Sequence, residues 1–219
     1  MAIPLQTAQA QSSCSSDGVP PLSRFTERFI PADCASCWEK PIAATQTGLV
    51  LDWIVPSEAG DEAALSAAAT RDAAVRLGDL AMTLTKDQKN HTTAAKKSSA
   101  YALRVAHGLP INAYIGTSIE LTRFPKKMIP ITAYLLLVER IPKGTADTPI
   151  ERLLVRNMLQ ESVTFPAQSG KPVMLSRRPM SIPAGVNPDN LGLVGWIQDA
   201  NGQVLTAVQS RCTTNLAKP

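Results

Sequence analysis

The 219 residues suffice for one large domain or two small ones, and 44% hydrophobic against 18% charged residues excludes a disordered polyelectrolyte. A net charge of +4 with a pI near 9.0 is mild. The basic residues fall in small groups (Lys86 and Lys89, Lys96 and Lys97, Lys126 and Lys127, Arg177 and Arg178) with no aromatics interleaved, so no nucleic-acid partner is expected.

Residues 1–21 read as a leader remnant and an irregular Ser-, Gly- and Pro-rich lead-in. Within them Ala8-Gln9-Ala10 has the small-x-small pattern of a signal-peptidase site, which favours export. No stretch reaches the roughly 18 to 20 apolar residues that a membrane-spanning helix requires. Leu22 to Ile30 predicts a strand that Pro31-Ala32-Asp33 breaks, and Cys34 to Lys40 predicts a short helix cut by Pro41. The apolar run Leu49 to Val55 suits a buried parallel strand. The Ala- and Leu-rich stretch from Asp61 to Leu80 predicts a long helix capped by Ser57 or Asp61. Leu80 to Thr85 reads as a further strand, Lys86 to His91 as a turn, and Thr92 to Gly108 as a second helix stopped by Gly108.

From Leu109 the texture changes to Pro, Thr, Val and Ile. Strands are predicted at Ile111 to Leu121, Ile129 to Glu139, Lys171 to Ile182, Leu191 to Asp199 and Val204 to Ser210. Asn201-Gly202 supplies a hairpin turn between the last two. Ile150 to Gln160 fits a helix face or a strand equally well. The expected division is therefore an α/β domain at 22–108 and a small antiparallel β-sandwich at 109–219.

Four cysteines allow three pairings. Cys34 and Cys37 are close enough to bridge each other, which leaves Cys14 and Cys212 either to meet in a structural disulfide suited to an oxidising compartment or to stand as free cysteines in the two tails. Cys34-Ala35-Ser36-Cys37 is the main candidate for chemistry. A dithiol at the start of a helix meets unpaired N–H groups that favour a thiolate. Cys34 would attack a partner's disulfide and Cys37 would resolve the mixed disulfide. Asp33 opposes the thiolate. The same pair also reads as a permanently oxidised staple, or as a metal site that lacks a second ligand pair. Pro110 is a candidate for the cis-proline that thioredoxin-type enzymes place opposite their cysteines, or it simply opens the first strand of the β domain. His91 and His107 read as surface residues. No Gly-x-Ser-x-Gly elbow or phosphate loop is present, and no metal or cofactor is called for.

The segment Phe25-Thr26-Glu27-Arg28-Phe29-Ile30-Pro31-Ala32-Asp33-Cys34-Ala35-Ser36-Cys37 resembles the front of a family of exported bacterial proteins, some labelled outer-membrane proteins. Leu153 to Leu159, Asn187 to Asp199 and Val204 to Gln209 are similar to that family's rear segments. The resemblance implies a degenerate thioredoxin-like half followed by a β-rich half, in the periplasm or otherwise exported. This sequence departs from the family at Asp52-Trp53-Ile54-Val55-Pro56, which has no histidine, and at Leu80 to Thr85, which has no proline. Two functions are then expected. One is a binding or structural envelope protein with a structural or vestigial Cys34–Cys37 bridge, its partner another envelope protein. The other is a periplasmic thiol-disulfide oxidoreductase acting on a thiol-disulfide partner.

Overall fold

Strong alternation in the second half of the chain, and unbroken apolar runs such as Tyr134 to Val138, call for sheets buried on one or both faces. That is what the chain forms. The structure, a computed structural model, describes residues 14–39, 48–84, 86–96, 100–125, 129–163 and 173–212. The leader pattern at Ala8 to Ala10 lies outside them. In chain order the strands are β1 (Cys14–Ser15), β2 (Arg24–Pro31), β3 (Leu49–Val55), β4 (Lys89–Ala94), β5 (Ala102–Ile111) and β6 (Tyr114–Arg123). They continue with β7 (Ile131–Ile141), β8 (Arg152–Val163), β9 (Val173–Ser181), β10 (Leu191–Asp199), β11 (Val204–Gln209) and β12 (Arg211–Cys212). Two α-helices, α1 (Ala35–Glu39) and α2 (Arg71–Asp79), join them among the described residues.

The strands make a five-stranded sheet, β12-β1-β5-β6-β9, and a seven-stranded sheet, β11-β10-β7-β8-β3-β2-β4. β2 runs parallel to β3, and β3 parallel to β8 through Asp52 and Leu154; every other pairing is antiparallel. The larger sheet is buried on both faces because its strands alternate two apolar sets. Ala133, Leu135 and Leu137 of β7 join Val105, Ile119 and Leu121 of the smaller sheet in one core. Tyr134, Leu136 and Val138 turn the other way and join Phe25, Trp53 and Trp196 beneath Ala73 and Leu77 of α2. The sheets meet closely at Gly195, where an added Cβ would lie 2.7 Å from Val105 Cγ1 and 3.4 Å from the Tyr134 carbonyl oxygen. Only glycine leaves that space.

This architecture corrects the α/β expectation. The chain is mostly β, and a thioredoxin-like half is not what it builds. β2, β3 and β4 belong to the same sheet as β7, β8, β10 and β11, residue 108 falls inside β5, and both sheets take strands from either side of it. The predicted helix over Thr92 to Gly108 is replaced by parts of β4 and β5. The alternation of Leu103, Val105 and His107, all buried, is a strand period.

The helix expected from Asp61 to Leu80 shrinks to α2, capped by Thr70, whose side chain accepts the Ala73 N–H. Tertiary acceptors compete for its backbone donors. Leu65 N–H goes to the Ala32 carbonyl (2.8 Å) and Thr70 N–H to that of Ile54 (3.1 Å), at the ends of β2 and β3. Both donors are lost to a continuous helix, and Ala-rich propensity cannot outweigh that. Leu80 to Leu84 forms no strand.

Candidate functional site

Cys34 and Cys37 sit where β2 ends and α1 begins. The Cys34 N–H donates to the Pro31 carbonyl and the Cys37 N–H to that of Cys34, both at 3.0 Å, so a turn leads into the helix. The two sulfurs are bonded. Cys34 is half-buried beside exposed Asp33, Ala35 and Ser36, while Cys37 is only 1% exposed. The Ser36 hydroxyl lies 3.6 Å from the Cys34 sulfur. α1 has five residues, barely more than one turn, so its dipole offers a thiolate little help.

The next residue anchors the site. Trp38 donates its indole N–H to the Ala146 carbonyl at 2.7 Å, and the Arg152 guanidinium stacks 4.4 Å over the Trp38 ring. Arg152 also donates to the Trp38 carbonyl and, at 2.7 Å, to the Thr148 hydroxyl. Beneath lies a buried charge cluster. Arg152 reaches Asp52 Oδ2 at 3.3 Å, and Arg28 Nε reaches Asp52 Oδ1 at 2.6 Å. All three residues are at most 2% exposed. Sequence reading missed this cluster, although its signal was present. Asp52 interrupts the otherwise apolar Leu49 to Val55, and a buried strand tolerates a carboxylate only with a cation beside it.

Burial pushes the Asp52 carboxyl up to about 6, against the opposing charge and hydrogen bond of Arg28. The folded-state value thus exceeds the ordinary 3.8, and folding takes up a proton between the two. The contribution of this group is therefore fully present below about pH 4 and is lost as pH rises through about 6. Relative to Asp52→Asn, which does not titrate, the parent chain is expected to gain about 1 kcal/mol on moving from about pH 7.5 to about pH 5. Urea denaturation of both proteins at both pH values reads this. An unchanged difference would show that the carboxyl is not raised.

Pro110 does not join the cysteines. It pairs with Ile115 in the five-stranded sheet, whereas Cys34 and Cys37 follow β2 of the seven-stranded one, and every peptide bond among the described residues is trans. It is simply a strand residue of β5. Cys14 and Cys212 form the second disulfide, across 198 residues, and join β1 to β12. His107, expected on the surface at a helix end, is instead 6% exposed and pairs with Cys14 across β1 and β5.

No family model matches this chain, and no curated protein or solved structure matches it. Function is therefore read from its own residues. Two closed disulfides fit an exported protein. Among the described residues no helix is long and apolar enough to cross a membrane.

Proposed function

We propose that the chain is an exported binding module of the bacterial envelope, held by two structural disulfides. The observation that carries this is the mechanical setting of Cys34–Cys37. Cys37 is sealed from solvent, and the residue after it is fixed by Ala146 and Arg152. Opening the bridge would free one end of a packed cluster that includes Ile30, Trp38, Ile54 and Leu154. Among the described residues neither a long helix nor a cis-proline stands beside the pair to favour a thiolate. A binding role is supported by the outer face of the five-stranded sheet. Gly108 and Gly116 leave a groove of about 460 Å³ between Arg104 and Arg177, and a Cβ at either glycine would meet open space.

The test is redox titration of the Cys34–Cys37 pair together with a Cys37→Ala trap in extracts. A structural bridge is expected to titrate below about −300 mV and to capture no mixed-disulfide partner. A potential above about −230 mV with a captured partner would instead make the protein a thiol-disulfide oxidoreductase with Cys34 as nucleophile.

A further inference from the structure

Three adjacent strands, β12, β1 and β5, set Cys212, Cys14 and His107 in one row, with Cys14 opposite both of the others. Residues in register across neighbouring strands project from the same face of a sheet. One ring nitrogen of His107 and the two sulfurs all lie within 4.8 Å of one another. The imidazole is set up to ligate. Its Nδ1 lies 3.0 Å from the Gly108 carbonyl oxygen, which can only accept, so Nδ1 carries the proton. Nε2 is left with a lone pair, and it is buried without a hydrogen-bond partner among the described residues. A backbone carbonyl is one of the partners, with carboxylates and water, that hold the far nitrogen of a metal-binding histidine. Cys212 is exposed and gives access from solvent.

We infer that Cys14, Cys212 and His107 form a thiol-gated zinc site, which holds one Zn²⁺ when the bridge is reduced and releases it when the bridge closes. Two thiolates and one imidazole are a zinc donor set, with water as the fourth ligand. The chemistry balances with an external dithiol. It gives two electrons to the Cys14–Cys212 bond and becomes a disulfide, and its two protons go to the freed sulfurs. Zn²⁺ then displaces both thiol protons and takes the Nε2 lone pair. In reverse, a disulfide oxidant accepts two electrons from the bound thiolates, the S–S bond reforms and Zn²⁺ leaves. In the reduced state the ion ties β1 to β12 in place of the covalent bond.

The experiment uses the full chain with Cys34→Ser and Cys37→Ser, so that the other pair cannot bind metal. The protein is reduced with a phosphine and titrated with Zn²⁺ against a chromophoric chelator. One Zn²⁺ per reduced chain is expected, with none bound by the oxidised chain and a melting transition of the reduced chain that rises with Zn²⁺. Adding His107→Ala is expected to weaken binding at least tenfold. Because that variant could misfold once reduced, the ¹⁵N resonance of His107 Nε2 is followed in the variant that keeps the histidine, where it should shift on adding Zn²⁺. Equal uptake by the oxidised chain, no uptake by the reduced chain, or an unmoved Nε2 resonance would each overturn the inference. The result is independent of whether Cys34–Cys37 turns over, since that pair is absent throughout.

Discussion

Replacing Cys14 and Cys212 together by serine is expected to lower the stability of the oxidised protein by about 5 kcal/mol. Little native packing goes with the bridge, because β1 and β12 are two-residue strands. The residues just after β1 also keep ties of their own: the Val105 N–H donates to the Ser16 hydroxyl at 3.0 Å, and Asp17 holds Arg104. The effect lies mainly in the unfolded chain. A bridge that closes 198 residues of sequence removes much of that chain's freedom, and the variant restores it. A chain of this size shifts its melting midpoint by about 2–4 °C per kcal/mol, so a fall of about 10–20 °C is expected. Urea denaturation should give a larger m value as well, since an unbridged chain exposes more surface on unfolding. A loss under about 1 kcal/mol would mean that the chain ends remain close without the bridge.

Much of the β structure was legible because its signals are local. Leu49–Val55 and Leu191–Asp199 emerge with the bounds their apolar runs imply. The turn at Asn201-Gly202 joins β10 to β11, with Gly202 at φ +77°. Ile150 to Gln160 could not be settled from periodicity. Long antiparallel pairing with β7, the strand just before it, makes it a strand, and that pairing leaves no mark on the segment's own periodicity. The α/β misreading has a similar origin. Ala63 to Ala69 would favour a helix in isolation, but the ends of β2 and β3 take the donors it would use.

Of the site residues, the Cys14 and Cys212 partnership was legible once Cys34 and Cys37 are taken to bridge each other, since four cysteines then leave only that pair. The place of His107 beside them was not. It depends on β1 lying between β5 and β12, and two residues of β1 carry no periodicity to announce that. Asp52 was visible as an acid in an apolar strand, but its partners Arg28 and Arg152 lie 24 and 100 residues away.

Glu27→Gln is expected to cost about 3–5 kcal/mol, because it leaves a guanidinium buried without its anion. Glu27 is fully buried in β2, and Arg76 of α2 meets it with two hydrogen bonds of 2.8 and 2.7 Å. The Arg76 guanidinium also lies 4.6 Å from the Tyr134 ring centroid and 5.2 Å from that of Trp196. Burial works against the Arg76 charge, and the Glu27 contacts more than offset it, so its pKa is raised and it remains a cation throughout. Glutamine keeps the shape and one acceptor but removes the charge. α2 is the helix that closes the outer core over Phe25, Trp53 and Trp196, so its amides should lose hydrogen-exchange protection first. If the cost comes from the stranded cation, removing the cation must recover it. The double variant Glu27→Met with Arg76→Leu should regain most of the stability, with a coupling of about 2 kcal/mol or more in a double-mutant cycle. A double variant as unstable as the sum of its single variants would show instead that the two side chains contribute by packing alone.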